Sequence, residues 1–366
     1  MTSLTSVVLA GGGTAGHVSP LIATADALRR EHPEVGITVL GTVEGLEARL
    51  VPERGYPLRT IGKVPFPRRP GAAALRFPAA MKRAVDQAGR VLDETGAEVV
   101  VGFGGYVSTP AYLAARNRSI PIVIHEQNSV AGLANKLGAR LTPHVATTFT
   151  QTRLRGSRVV GMPLREEISG LDRAALRPQA LDALGLSDHR PTVLVTGGSL
   201  GAAQLNDSFA QSADALLASG VQVLHLTGAG KVPQALVGRD DSGPGPRYVV
   251  LEYCDRMDLA YAAADLVVCR AGANTVTELA TVGLPAVYVP LPIGNGEQRR
   301  NASDVVEAGG GIVVDNDAVT PAWVTGELTA LATDAPRLQA MSRAAASLGS
   351  GAAAADMVEM IRGAVR

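Results

Sequence analysis

The chain has 366 residues with 34 basic and 34 acidic side chains, so its formal net charge is zero. The length suggests two domains, and a hydrophobic fraction of 46% excludes an intrinsically disordered chain. The balanced charge argues against a polycation that wraps nucleic acid, and two cysteines, Cys254 and Cys269, are too few for a disulfide framework or a four-cysteine zinc site.

Apolar runs rich in β-branched residues alternate with alanine- and leucine-rich segments in the first half. Ser6–Ala10 has the pattern of a buried strand, and apolar residues in Val18–Arg30 recur near the helical period of about 3.6 residues. Further strands are predicted at Gly36–Leu40, Glu98–Phe103 and Ile120–His125. Strands without polar alternation are buried on both faces, which predicts a parallel sheet between layers of helices.

The same pattern restarts after a more irregular region, 147–191. The second half is predicted to contain a strand at Thr192–Thr196, a glycine turn at 197–201, a helix at Ala202–Ala218, and strands at Val221–Thr227, Tyr248–Leu251, Leu266–Cys269 and Pro285–Val289. We therefore predict the α/β class, with two Rossmann-like parallel-sheet domains, 1–162 and 163–349, facing across a cleft. We expect a last helix, about Ala352–Val365, to pack back on the first domain.

The first glycine loop, Gly11-Gly12-Gly13-Thr14-Ala15-Gly16-His17, follows a predicted strand and opens a helix. Its spelling fits the dinucleotide fingerprint, and Glu44 lies near the end of the next strand. A tight turn that needs glycine only for its geometry has the same spelling. A helix amino terminus favours a neutral histidine, so His17 is a candidate general base, or else a capping side chain.

Two other glycine turns open the corresponding helices of the second half. Gly197-Gly198-Ser199-Leu200-Gly201 fits the nucleophile elbow of hydrolases, but the one histidine after it, His225, lies inside a predicted strand. A phosphate-binding loop is the better interpretation. The turn at 270–275 leads into a helix with Glu278, a candidate ligand for ribose hydroxyls or an ordinary solvated acid.

Polar residues end two strands of the first half. Tyr106 and Ser108 follow a glycine-rich strand end, and His125-Glu126-Gln127-Asn128 ends the next strand, which indicates a site. His125 by itself is equally consistent with a structural histidine. Asp315-Asn316-Asp317 has the D-x-D spelling of metal-dependent sugar transferases, but its position after an apolar strand favours a surface turn, and we predict neither a metal nor a cofactor.

Seven segments together resemble a known family. GGGTAGH, GFGGYVS, HEQNSVAG, GMPLR, GGSLGA, CRAGANTVTELA and GEQRRNA occur in the order and spacing of the MurG-type N-acetylglucosaminyltransferases of cell-wall synthesis, from about Val7 to Val314. The resemblance implies the GT-B fold, UDP-GlcNAc as donor substrate, and a lipid-linked acceptor, undecaprenyl-pyrophosphoryl-MurNAc-pentapeptide. It implies inverting transfer to the 4-hydroxyl of MurNAc, with His17 as the base and Glu126 as the alternative.

The resemblance also implies substrate contacts. Arg165 and Ser199 would contact the donor phosphates, Glu278 the ribose, the Tyr253-Cys254 backbone the uracil, and Glu297 and Gln298 the sugar ring. The remaining expected substrate-binding residues are Thr14, Ala15, Gly16, Tyr106, Asn128, Ala273, Asn274 and Thr275. Where the family usually has G-T-G-G-H this chain has G-T-A-G-H, so we expect no positive φ at Ala15. Glu297 stands where relatives can carry glutamine.

A basic segment, 59–90, suits docking to an anionic membrane surface, because apolar side chains lie among its cations. The predicted membrane patch comprises Arg68, Arg69, Leu75, Arg76, Phe77, Met81, Lys82 and Arg83. Arg116, Arg118, Lys136 and Arg140 extend it. A solvated helix face gives the same pattern. No basic leader and no long apolar run is visible, so we expect a peripheral protein on the cytoplasmic side of the cell membrane.

Three alternatives remain open at this stage. Another GT-B transferase with a small acceptor would share the donor loops but not the basic segment. An NAD-dependent oxidoreductase would use residues 11–16 but leave the second phosphate loop and residues 125–128 unexplained. A nucleotide-binding module without catalysis would have no use for His17.

Overall fold

The computed structural model describes residues 4–67, 71–198, 201–239, 241, 243, 245–292 and 296–365. The chain divides into two compact units. The amino-terminal unit comprises Met1–Arg165 and Ser350–Arg366, and the carboxyl-terminal unit comprises Glu166–Gly349. The division falls three residues after the boundary predicted from sequence.

The amino-terminal unit is built on a seven-stranded parallel sheet with the strand order β3-β2-β1-β4-β5-β6-β7. Its strands are β1 (Ser6–Ala10), β2 (Gly36–Gly41), β3 (Leu58–Thr60), β4 (Val99–Gly102), β5 (Ile122–Glu126), β6 (His144–Thr147) and β7 (Ser157–Val159). Alternate residues of β1 enter two different core clusters, Val7 and Leu9 on one face and Val8 and Ala10 on the other, and none of the four is exposed. Burial on both faces explains the uninterrupted apolar sequence of the strand.

Helices cover both faces of this sheet. They are α1 (Ala15–Glu31), α2 (Glu47–Glu53), α3 (Ala72–Thr95), α4 (Ser108–Asn117), α5 (Leu133–Gly138) and, from the end of the chain, α17 (Ala353–Val365). Met357, Val358 and Ile361 of α17 are fully buried in the cluster that contains Val7 and Leu9. The last helix is therefore part of the amino-terminal core.

The carboxyl-terminal unit has a six-stranded parallel sheet with the order β10-β9-β8-β11-β12-β13. Its strands are β8 (Thr192–Thr196), β9 (Gln222–Leu226), β10 (Tyr248–Leu251), β11 (Leu266–Cys269), β12 (Ala286–Tyr288) and β13 (Gly311–Val313). In both units the order reverses beside the first strand, so the carboxyl ends of β1 and β4, and of β8 and β11, are the expected ligand-binding positions.

The helices of this unit are shorter. They are α6 (Glu166–Ser169), α7 (Arg173–Leu184), α8 (Ala203–Gln211), α9 (Ala213–Ala218), α10 (Met257–Ala263), α11 (Ala273–Thr281), α12 (Glu297–Asn301), α13 (Ser303–Glu307), α14 (Pro321–Trp323), α15 (Thr329–Ala332) and α16 (Ala335–Ala346), with one-turn 3-10 helices at Gln234–Leu236 and Asn316–Ala318 and a π-helical turn at Val324–Leu328. In the part of the chain that the structure describes, no helix is long and apolar enough to cross a membrane.

Two predictions about elements were wrong. The single helix expected at Ala202–Ala218 is two helices, because the helix breaks at Ser212, whose hydroxyl donates to the carbonyl of Ser208 at 2.8 Å. The region expected to be irregular contains α7, which begins with an Asp172 cap that accepts from the Ala175 N–H at 3.0 Å. Pro178 inside that helix and a weak apolar periodicity conceal it in the sequence.

Candidate active site

The loop after β1 leads directly into α1 and presents His17 on the first turn of that helix. The imidazole is partly buried, and its Nδ1 lies 3.2 Å from the Thr14 hydroxyl. Burial lowers the pKa of His17, while a hydrogen bond with the Gly12 backbone and the negative charge of Glu47 act in the opposite direction. The imidazole is therefore neutral near pH 7 and can accept a proton.

The loop after β4 packs closely against the first loop. Gly104 and Gly105 have φ values of +89° and +82°. A Cβ on Gly105 would lie 2.6 Å from the carbonyl oxygen of Gly12, and one on Gly104 would lie 3.1 Å from His17 Nε2. Only glycine allows this approach. The buried Ser108 hydroxyl then joins the two loops by donating to the carbonyls of Ala10 and Gly104, at 3.1 and 2.7 Å.

Tyr106, at the tip of the second loop, is 40% exposed. The Lys63 ammonium lies 5.2 Å from the centre of its ring, a cation–π contact. Both side chains border a small pocket that also touches Gly12, Gly13 and Glu47. A cation and an aromatic ring therefore stand beside the first glycine loop.

Glu126 ends β5 and is almost completely buried. One carboxylate oxygen accepts from the Asn128 N–H at 3.0 Å, and the other accepts from the Gly132 N–H at 2.9 Å and the Asn135 amide at 3.0 Å. The carboxylate thus holds the loop 127–132 in shape. Asn135 is held in turn by the Tyr112 hydroxyl, which donates to its Oδ1 at 2.8 Å.

His125 and Asn128 differ sharply in their surroundings. His125 is fully buried, its Nε2 pairs with the Gly161 carbonyl at 2.8 Å, and burial lowers its pKa to about 4, so it is a structural histidine. Asn128 is partly exposed, and within the described residues only its backbone forms hydrogen bonds. Its side-chain amide is therefore available to a ligand.

In the carboxyl-terminal unit the loop after β8 includes Ser199, which lies outside the described residues together with Leu200. At its start the Gly198 N–H donates to the Thr196 hydroxyl at 3.2 Å, with φ at +77°. At its end a Cβ on Gly201 would lie 2.4 Å from the Thr227 carbonyl oxygen. Glycine is therefore favoured at Gly198 by its positive φ, and at Gly201 also because a side chain would clash.

The loop after β11 carries the next group of predicted residues. Ala273, Asn274 and Thr275 form the first turn of α11, and Glu278 lies one turn further along. The hydroxyl of Tyr261 on α10 donates to Glu278 Oε2 at 2.7 Å. Tyr261 was not predicted from the sequence, because only the fold brings α10 beside α11.

Arg270 is a second functional candidate that the sequence analysis missed. It follows β11 directly, is partly buried, and donates from Nη1 to the Val289 carbonyl at 3.1 Å. Within the described residues its Nε has no hydrogen-bond partner and its guanidinium has no acidic partner. Burial lowers its pKa. A lone cation directly after a buried strand was the signal that could have revealed it.

The other predicted donor-binding residues lie apart in the sequence. Gln298 is on α12, and its Oε1 accepts from the Leu291 N–H at 2.9 Å, with Glu297 beside it. Cys254 is partly buried after β10, next to the exposed Tyr253. Arg165 is the last residue of the first segment of the amino-terminal unit. Ala15 and Gly16 begin α1, and Ala15 has no positive φ, as expected from its Cβ.

The structure also shows the surroundings of two features with alternative interpretations, His225 and the D-x-D spelling at 315–317. His225 is fully buried between the Tyr248 hydroxyl and Asn206 Oδ1, at 2.8 and 3.1 Å, which removes the hydrolase interpretation. Asp315 pairs with Arg299, and a 3-10 turn follows at Asn316–Ala318. Across the described residues no group of three or more histidine, cysteine or acidic side chains could hold a metal ion.

The residues predicted to form a membrane patch differ in their exposure. Leu75 is 85% exposed on α3, and Arg76, Lys82 and Arg83 are also exposed. Phe77 and Met81 instead pack against the core of the amino-terminal unit, because the inner face of the helix must cover the sheet. Arg118 pairs with Asp93 at 2.6 Å, so its charge is compensated. Arg68 and Arg69 lie outside the described residues.

Comparison with known proteins gives consistent results for both units. Residues 7–147 match the glycosyltransferase family 28 N-terminal domain, and residues 192–359 match the glycosyltransferase family 28 C-terminal domain. Relatives from a Nocardioides species, 59% identical over 93% of both chains, and from Paenarthrobacter aurescens, 54% identical over 98% of this chain and 96% of the relative, are both named UDP-N-acetylglucosamine–N-acetylmuramyl-(pentapeptide) pyrophosphoryl-undecaprenol N-acetylglucosamine transferase.

Among solved structures, MurG from Acinetobacter baumannii is 32% identical, with a TM-score of 0.79 over 98% of this chain and 99% of that one. Family matches in both units, relatives of more than half identity along nearly the whole chain, and the two parallel sheets agree with one another. The chain therefore belongs to glycosyltransferase family 28 and, within it, to the MurG-type N-acetylglucosaminyltransferases of the GT-B fold.

Proposed function

We propose that the protein transfers GlcNAc from UDP-GlcNAc to the 4-hydroxyl of MurNAc in undecaprenyl-pyrophosphoryl-MurNAc-pentapeptide, the conversion of lipid I to lipid II in peptidoglycan synthesis. The observation that carries this proposal is the identity of 59% and 54% to relatives named for this transfer, across 93% or more of each chain. The amino-terminal unit binds the acceptor, and the carboxyl-terminal unit binds the donor.

The reaction is a direct displacement at the anomeric carbon. The acceptor oxygen forms the new bond to C1 of GlcNAc, the bond from C1 to the phosphate oxygen breaks, and UDP leaves with the electron pair. The acceptor proton passes to the neutral imidazole of His17, and the anomeric centre inverts from α to β. Burial, which keeps His17 unprotonated near pH 7, supports this role.

Glu126 is the less suitable base. Its two carboxylate oxygens already accept hydrogen bonds from Asn128, Gly132 and Asn135, so it has little capacity to receive a further proton without disrupting the loop. Its role is to hold Asn128 with its amide directed to substrate. Thr14, Ala15, Gly16 and Tyr106 contribute the remaining contacts on the acceptor side.

On the donor side, negative charge develops on the leaving pyrophosphate and needs preorganised donors. We assign Arg270 to this task together with Arg165 and Ser199, since the guanidinium of Arg270 has no acidic partner in the described part of the chain. Glu278, oriented by Tyr261, accepts from the ribose hydroxyls. The Cys254 backbone, Ala273–Thr275, Glu297 and Gln298 complete the donor site. We assign no role to Asp315 and Asp317 of the D-x-D spelling, and we assign no metal to the site.

The lipid-linked acceptor requires the protein to reach a membrane surface. Leu75, Arg76 and Arg83 are exposed on α3, and neither arginine has an ion-pair partner among the residues that the structure describes. An apolar side chain among uncompensated cations suits an anionic leaflet. The protein therefore binds peripherally, with α3 against the lipid headgroups.

The His17→Ala variant tests the proposed chemistry. We expect turnover to fall by about 10²-fold or more, the usual size of a general-base effect, while UDP binding measured by calorimetry stays at the wild-type level. His189→Ala is the matched control, because His189 is exposed on the other unit. Wild-type turnover in His17→Ala would refute the assignment of the base. Failure of the wild-type protein to use UDP-GlcNAc would refute the proposed reaction.

A further inference from the structure

Glu47, the first residue of α2, is a completely buried carboxylate that no sequence motif indicated. One of its oxygens accepts from the Thr42 N–H at 2.8 Å and the Thr42 hydroxyl at 2.9 Å. The other accepts from the Gly13 N–H at 2.7 Å. Both oxygens are therefore bonded, and one of these bonds fixes the loop that leads to His17.

Three glycines make room for this carboxylate. A Cβ would lie 2.2 Å from Glu47 Oε1 at Gly12, 2.5 Å from its Cγ at Gly41, and 2.0 Å from its Oε2 at Gly45. Real Cβ atoms do not approach so closely, so the side chain occupies a slot that exists only because these positions lack side chains. The first glycine loop therefore encloses an anion that belongs to the protein itself.

Glu47 is held by hydrogen bonds from uncharged donors. In the described ranges it forms no salt bridge, and burying an unpaired carboxylate is costly even when several hydrogen bonds stabilise it. Proteins retain such a buried charge, despite its free-energy cost, where the charge serves a function. In this loop the anion uses the Gly13 N–H, a donor of the kind that would face a phosphate in a dinucleotide-binding protein.

The function of this charge concerns His17, which follows the same glycine loop in the chain. Gly12 packs against Glu47 on one side, and its backbone raises the pKa of the His17 ring. The negative charge of Glu47 raises the pKa of His17 against the larger effect of burial. Other charged and titratable groups nearby are Glu44, Lys63 and Tyr106, which border the same small pocket.

We propose that Glu47 is a positioning residue for the transfer: it holds the His17 loop in shape through Gly13, and its charge stabilises the imidazolium that forms when His17 takes the acceptor proton. This inference rests on the proposed role of His17 as the base. Glu47 acts through His17 and Gly13 and does not itself touch the substrate.

Replacement of Glu47 by glutamine tests both parts of the role. A glutamine amide has one oxygen, so if it keeps the two Thr42 donors it turns its NH2 toward the Gly13 N–H. In Glu47→Gln we expect the His17 imidazole signals, followed by NMR, to titrate at lower pH than in the wild type. We expect kcat to fall about tenfold or more, the effect of losing a hydrogen bond to a charged group, with an unchanged KM for UDP-GlcNAc.

The acid limb of the pH–rate profile is the readout that a merely structural residue would not move. Removal of the negative charge disfavours imidazolium, so this limb moves to lower pH in Glu47→Gln. Glu53→Gln, the same change at the exposed end of α2, is the matched control and leaves the limb in place. If Glu47→Gln does not fold, Glu47→Asp is the second variant. Its shorter side chain keeps the negative charge but moves the carboxylate away from the Gly13 N–H, so kcat should still fall.

A folded Glu47→Gln variant in which His17 titrates as in the wild type would overturn the proposal, as would wild-type kcat in Glu47→Asp. The NMR titration does not depend on catalysis. If His17→Ala kept its turnover, the role of His17 as base would fail, whereas the titration in Glu47→Gln would still report whether Glu47 acts on the ring.

Discussion

Three histidines, His17 on α1, His125 on β5 and His225 on β9, differ in what surrounds the ring. His125 and His225 are fully buried with both ring nitrogens paired, and burial lowers their pKa values to about 4 and about 3. His17 is only partly buried, its Nδ1 lies 3.2 Å from the Thr14 hydroxyl, and the negative charge of Glu47 raises its pKa. Of the three, only His17 combines partial exposure with a nearby negative charge that raises its pKa.

Arg270 provides a test of the donor site at the scale of one residue. Its guanidinium is partly buried without an acidic partner in the described residues, so a phosphate would satisfy a charge that the protein leaves uncompensated. In Arg270→Met we expect UDP to bind about 10-fold to 100-fold more weakly by calorimetry, as for loss of a hydrogen bond between charged groups.

Arg343→Met is the control for this prediction, because Arg343 is exposed on α16. It should bind UDP like the wild type. Equal UDP affinity in Arg270→Met and Arg343→Met would mean that Arg270 has no contact with the donor phosphates.

At the scale of elements, a glycine-containing loop joins a strand to a helix after β1 and again after β11, but the two loops have different contents. The loop after β1 surrounds the Glu47 carboxylate, whereas the loop after β11 presents the uncompensated Arg270. The Glu47 carboxylate disfavours binding of a second anion at the first loop, whereas the Arg270 guanidinium favours binding of an anion after β11. The same local fold thus supports opposite electrostatic roles.

Helix α3 makes the proposed contact with the membrane. Replacing Leu75 with serine and both Arg76 and Arg83 with glutamine removes the exposed apolar side chain and two cations, at about 1 kcal/mol per basic residue. We expect co-sedimentation with vesicles containing anionic lipid to fall at least tenfold, and binding of the wild type to weaken as salt rises.

A variant with glutamine at Arg337 and Arg343 removes two exposed cations from α16 and should sediment like the wild type. Equal binding of the wild type to neutral and anionic vesicles would contradict the electrostatic part of this prediction.

At the scale of the whole molecule, the zero net charge conceals an asymmetry. Residues 1–160 carry 19 basic and 11 acidic side chains, so the rest of the chain is acidic by the same margin. The excess of cations belongs to the amino-terminal unit, which contains α3. A balanced total therefore does not oppose binding to an anionic surface.

The last helix links the end of the chain to the amino-terminal core. Ile361→Ala removes a fully buried side chain that packs with Val7 and Leu9, and should lower the free energy of unfolding of that unit by about 2–5 kcal/mol. Chemical denaturation of the intact protein, with Trp323 fluorescence reporting the other unit and UDP binding as a second probe, measures this.

Because Trp323 belongs to the carboxyl-terminal core, its transition should move less than the circular-dichroism transition of the whole chain. Met360→Ala, at a partly buried position of the same helix, is the matched control with a smaller effect. Equal losses in the two variants would contradict the packing described for Ile361.

The sequence by itself determined the fold class, the repeated strand–loop–helix pattern, the family and the loops that carry the candidate residues. These depend on periodicity and on residues adjacent in the chain, as in Ser6–Ala10 and the glycine loop that follows it. The sequence did not predict the short strands Leu58–Thr60 and Ser157–Val159, because three residues are too few to show a period.

Only the tertiary structure decided which residues each candidate side chain contacts. Glu47 is 34 residues from Gly13, and Tyr261 is 17 residues from Glu278, so neither contact leaves a local pattern in the sequence. The inward packing of Phe77 and the hydrogen bonds from Gly132 and Asn135 to Glu126 also depend on neighbouring elements. Burial and the arrangement of distant charges, which set the pKa of His17, exist only once the sheet has brought these elements together.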